Sequence, residues 1–137
     1  MTFDELLEAV REEDVTLDIE GGQVTLHHLG GGCILVTTEL GEVPEETFGK
    51  LCRDMMKANH MFQGTAGTTI SLEPGSHRAF LQRLWQSHAD GEAGFLSYLA
   101  VFEQAAGEWK ARLSGGSVDE MPKQELTRLD DIFIIRV

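Results

Sequence analysis

Positive charge is scarce in this sequence. Lys and Arg total 11 against 23 Asp and Glu, a formal net charge of -12. Such a field repels phosphates and anionic head groups, so neither nucleic acid nor a membrane surface is an expected partner. Cysteine is scarce too. Cys33 and Cys52 stand alone, without C-x-x-C spacing, and read as two packed thiols rather than a disulfide framework or a metal clamp. No run approaches the roughly 18 apolar residues of a membrane span. The first residues, MTFDELLEAVREED, are acidic and amphipathic, with no basic start or apolar core of a signal peptide, which predicts a cytoplasmic protein.

Catalytic and cofactor signatures are missing as well. The five histidines are His27, His28, His60, His77 and His88. None pairs with another His or a Glu at helical ligand spacing, and His27 and His28, adjacent in a strand, point to opposite faces. No metal or cofactor is expected. Gly30-Gly31-Gly32 and Gly64-Thr65-Ala66-Gly67 each lead into a strand, with no Lys-Ser/Thr following, so they are turns rather than phosphate loops. Cys33 with His27 or His28 is the nearest approach to a nucleophile–base pair, and nothing supplies an orienting third group. An enzyme is the last-ranked reading.

What the chain does have is a core and a clear order of elements. Its 137 residues, 42% hydrophobic, suffice for one domain. Phe3, Leu6, Leu7 and Val10 recur at helical spacing and predict a helix over 2–13. Val15, Leu17 and Ile19 alternate with polar residues, and Gly21-Gly22 is a hairpin signal. A strand over 23–29, a second turn at the triple glycine and a longer strand over 33–40 complete an antiparallel meander with one apolar and one mixed face. Pro44 marks the start of a second helix, whose stripe of Phe48, Leu51, Cys52, Met55, Met56, Asn59 and Phe62 runs to a stop near Gly64. Strands over 68–73 and 77–85 flank Pro74-Gly75-Ser76. A last helix over 92–113 carries the seam Phe95, Leu99, Phe102, Ala106, Trp109 and Leu113. The order α-β-β-β-α-β-β-α, without regular βαβ units, predicts an α+β class with an antiparallel twisted sheet. Residues 1–114 form the expected domain and 115–137 a linker with an apolar tail. A β-prone segment such as Ile132–Val137 is expected to pack on its own subunit, a dimer mate or another protein.

Three methionines, Met55, Met56 and Met61, cluster around the second helix, and methionine suits surfaces that accept varied partners as well as cores. That stripe is wide enough to predict a subunit interface.

Two stretches resemble a known family. The run Lys57-Ala58-Asn59-His60-Met61-Phe62 followed by Gly64-Thr65-Ala66-Gly67-Thr68-Thr69-Ile70-Ser71-Leu72 is similar to the "Leu-x-Ala-Asn, then Thr-x-Gly-x-x-Leu-x-Leu" pattern of class I type III secretion chaperones, the CesT/Tir-chaperone-like group. The stretch from Phe95 to Trp109 resembles the same family's "Phe-x-x-x-Leu-x-x-Phe-x-x-x-Ala-x-x-Trp" helix. The resemblance covers roughly residues 3–113, with Met56 where a leucine is usual. It implies a homodimeric cytoplasmic chaperone, without nucleotide hydrolysis, that holds the N-terminal segment of a secreted effector extended and export-competent. On that reading Phe3, Leu6, Leu7, Val10, Val15, Leu17, Leu26 and Leu35 form the pool for cargo contacts, about half of them being core. Leu51, Met55, Asn59 and Phe62 are the expected dimer contact. The alternative is a protein-binding module of the same fold outside secretion.

Overall fold

The computed structural model describes residues 2–19, 22–86, 91–115 and, by its backbone pairing, 133–136. Helix α1 (Phe3–Glu12) leads into strands β1 (Val15–Ile19), β2 (Gly22–Gly30) and β3 (Cys33–Glu42). Helix α2 (Phe48–Asn59), strands β4 (Thr69–Leu72) and β5 (Arg78–Gln86), helix α3 (Gly91–Leu113) and strand β6 (Phe133–Arg136) follow. The expected α+β order holds. All six strands form one antiparallel sheet in the order β4-β5-β3-β2-β1-β6.

Local chemistry sets the boundaries. Thr2 caps α1: its Oγ1 accepts from the Glu5 N–H at 3.2 Å, and Glu5 Oε2 accepts from the Thr2 N–H at 2.8 Å. This reciprocal pair satisfies two donors that the first turn leaves open. In the first hairpin Ile19 lies opposite Gly22, so Gly22 belongs to β2, where the sequence predicts a turn residue. In the second, Gly30 faces Cys33, and Gly31 and Gly32 both take positive φ (60° and 75°), as the tightest hairpin turn requires. Strand β3 also runs past Leu40. A bulge between Glu39 and Gly41 lets it continue to Glu42 against Arg78, where the sequence suggests a break.

One sheet face is covered and one is open. Leu6, Ala9 and Val10 of α1 and Phe95, Leu99, Phe102, Ala105, Ala106, Trp109 and Leu113 of α3 pack on Val15, Leu17, Val24, Leu26, Ile34, Val36, Leu81 and Trp85. An aromatic group closes the layer: Trp85 and Phe95 ring centroids lie 5.1 Å apart edge-on, and Phe3 sits 5.9 and 5.6 Å from them. Strand alternation turns Thr16, Thr25, Thr37 and Gln82, in register across four strands, to the opposite face. Next to this polar row lies His27–Leu35–Leu84, with Leu84 exposed.

Candidate functional site

The two rims of the sheet differ in how their backbone groups are satisfied. At β4, the Asn59 side chain closes the outer rim. Its Nδ2 donates to the Ile70 carbonyl at 3.0 Å and its Oδ1 accepts from the Ile70 N–H at 2.9 Å. In an antiparallel strand both groups of one residue point the same way. Asn59 therefore acts as a one-residue strand on the side of Ile70 turned away from β5. At the other rim, β1 is paired by β6, with Val15 opposite Arg136, Thr16 opposite Ile135, Leu17 opposite Ile134 and Asp18 opposite Phe133. Residues 133–136 of the apolar tail thus pair with a strand of their own chain.

Most of the cargo pool is core. Leu6, Val10, Val15, Leu17 and Leu26 are at most 1% exposed, because α1 lies on the covered face and the inward positions of β1 and β2 meet it. Phe3 and Leu7 are half-buried against that core. Leu35 is the member placed on the open face, beside Leu84 and His27. The first helix and the mixed face lie on opposite sides of the sheet and do not make one groove.

The four residues expected at a dimer contact are placed in different surroundings. Met55 is 4% exposed and belongs to the core, Leu51 packs against it, and Asn59 is committed to Ile70. Phe62 remains exposed. Met56 and Met61, each 74% exposed, are also turned to solvent, as is Val101 on α3. Helix α2 also stops earlier than its stripe predicts. It ends at Asn59, and after a short turn Met61 and Phe62 both adopt positive φ (53° and 59°). Two consecutive non-glycine residues in that region carry strain, here while displaying apolar side chains to solvent.

The glycine turn after α2 is held from both sides. The Gly64 N–H donates to the Ala58 carbonyl at 3.1 Å, and Trp109 Nε1 donates to the Gly64 carbonyl at 3.1 Å. A Cβ at Gly64 would lie 2.8 Å from the Ala58 Cβ, so only glycine fits. Thr68 Oγ1 donates to the Thr65 carbonyl at 2.6 Å inside the same turn. The two family-like motifs, one ending α2 and one forming α3, thus meet at this point.

Titratable chemistry is sparse here. Burial pushes the Tyr98 phenol well above its ordinary range, against the opposing pull of Arg83, whose guanidinium carbon lies 4.8 Å from the ring centre. Burial also raises the Cys52 thiol. His27 Nδ1 lies 2.9 Å from Asp14 Oδ2, so its partner is a carboxylate and not Cys33. Among the described residues, no three His, Cys, Asp or Glu side chains gather as a metal set, and no helix is long and apolar enough to cross a membrane.

Comparison with known proteins agrees with the architecture. Residues 5–110 match the family model described as the Tir chaperone protein (CesT) family. A solved structure, the heterodimeric complex ExoU-SpcU from the type III secretion system of Pseudomonas aeruginosa, contains a similar chain. The likeness has a TM-score of 0.57 at 21% identity and covers 76% of this chain and 84% of that one. No curated protein sequence matches significantly.

Proposed function

The chain belongs to the Tir chaperone protein (CesT) family, and from that premise we propose a cytoplasmic type III secretion chaperone that works as a homodimer. It binds the N-terminal segment of a secreted effector in extended form and keeps it soluble for export. The observation that carries this reading is the family match over 5–110, which spans α1 through most of α3. The similar chain in the ExoU-SpcU structure, solved with a second protein of a secretion system, supports a protein partner of that kind.

The geometry supports binding rather than catalysis. An extended segment is captured by backbone pairing at a sheet rim and by shallow apolar contacts beside it. The open face offers Leu35, Leu84 and Phe80 within a polar surround, and the net charge of -12 favours a basic partner over an acidic one. For the homodimer, the outward surface of Met56, Met61 and Phe62 replaces Met55 and Asn59 as the contact we assign.

Co-expression with candidate secreted substrates tests the reading. A true cargo is expected to shift from the insoluble to the soluble fraction, and limited proteolysis of the complex should leave an N-terminal segment of the cargo protected. Protection of folded cargo domains alone would overturn the extended-segment mechanism.

A further inference from the structure

The two rims of the sheet are closed by different means. At β4 the closure is a side chain rooted in the second helix, which packs Met55 and Ala58 into the core. At β1 it is a four-residue strand, Phe133–Arg136, that follows α3 only after residues 116–132, which lie outside the described residues. The first closure cannot leave without unpacking the molecule. The second is a separate stretch of chain, joined to the sheet by its pairing with β1.

We infer that the outer rim of β1 is a strand-accepting site and that β6 is its resident occupant in cis, a displaceable stand-in for the extended segment of a partner. Three observations converge on this. The register pairs β6 with nearly the whole of β1, from Val15 to Asp18. The ladder is short beside the β3–β5 pairing, which runs from Cys33 to Glu42. The occupant, Phe133-Ile134-Ile135-Arg136, is β-prone and almost wholly apolar.

The chemistry of the incoming segment follows from the occupant. It runs antiparallel to β1 and presents apolar residues opposite Thr16, Leu17 and Asp18, as Ile135, Ile134 and Phe133 do. A strand carried on the same chain competes as an intramolecular ligand, at an effective concentration of about millimolar. A free segment must overcome this, so β6 sets a threshold that weakly pairing peptides do not pass. The inference deepens the chaperone reading by naming where a cargo strand enters, and it rests on that reading only for what the strand belongs to.

The test uses the full chain and a fluorescein-labelled peptide of its own residues 127–137. Fluorescence anisotropy compares the native protein with the double variant Ile134→Pro/Ile135→Pro, which removes the N–H donors on both sides of the strand. The variant is expected to bind the peptide at least about tenfold more tightly, the gain when a site free about a tenth of the time becomes fully available. Hydrogen exchange over 15–19 should quicken in the peptide-free variant, while β5 and α3 keep their protection as a control for folding.

A second variant, Asp18→Cys/Phe133→Cys in a chain also carrying Cys33→Ala/Cys52→Ala, locks the strand through directly opposed positions. It should bind no peptide until reduced. Equal peptide binding by all three proteins, or unchanged exchange over 15–19, overturns the inference. Protection of 15–19 that rises with protein concentration also overturns it, by assigning the occupant to a second copy. Failure to find a soluble secreted partner would count against the chaperone reading and leave these peptide results standing.

Discussion

Asn59 satisfies both backbone groups of Ile70 on the side of β4 that faces away from β5, and so joins α2 to the sheet through one side chain. Replacing it with alanine leaves a donor and an acceptor without partners. Asn59→Ala is expected to lower stability by about 2–3 kcal/mol, read as a reduced urea midpoint with an unchanged slope. Asn59→Asp keeps an acceptor for the Ile70 N–H but loses the donor, and should fall between the two. The sequence marks Asn59 as unusual within an apolar stripe. It does not show the reason, because the partner lies on a strand whose approach is fixed only by the turn at residues 64–67. Met55 and Leu26 illustrate the converse. Helical and strand periodicity identify them as apolar-face residues, yet whether that face meets a partner or the core depends on what packs above it.

At the scale of elements, the end of α2 depends on the close approach of Gly64 to Ala58. Gly64→Ala puts a methyl group 2.8 Å from the Ala58 Cβ and should cost about 1–3 kcal/mol. Removing the opposing methyl group in Gly64→Ala/Ala58→Gly should return part of that loss, less about 1 kcal/mol for a glycine within a helix. Thermal or urea unfolding of the four proteins gives the coupling directly, and additive losses would show that the contact is not the cause. Most strands and helices of this chain are legible from spacing alone, as β2, β3 and α3 show. The end of α2 is not. The apolar stripe continues through Phe62, but hydrogen bonding at Asn59 and Gly64 ends the helix first.

At the scale of the whole molecule, Met56, Met61 and Phe62 are among the large apolar side chains that the described residues leave exposed. If they form the homodimer contact, Phe62→Asp should weaken self-association at least about tenfold, the consequence of losing about 1.4 kcal/mol at an interface. Light scattering would then report a species near the 15.2 kDa of one chain where the native protein gives twice that mass. The exposed position predicts little change in unfolding, so a monomer that has also lost stability would point to a folding defect instead. A native protein that remains monomeric at micromolar concentration would remove the homodimer from the proposed function.

The sequence by itself determined the α+β order, the glycines of the second hairpin, the acidic field and the family-like motifs, because each is written in local spacing, backbone freedom or total charge. Tertiary structure alone decided which apolar residues are core, why Asn59 and Gly64 stand where they do, and where the tail belongs. Those outcomes depend on contacts between residues far apart in the chain. Ile134 is apolar and β-prone in any context. That it pairs opposite Leu17 follows only once the meander is formed and its β1 rim is available.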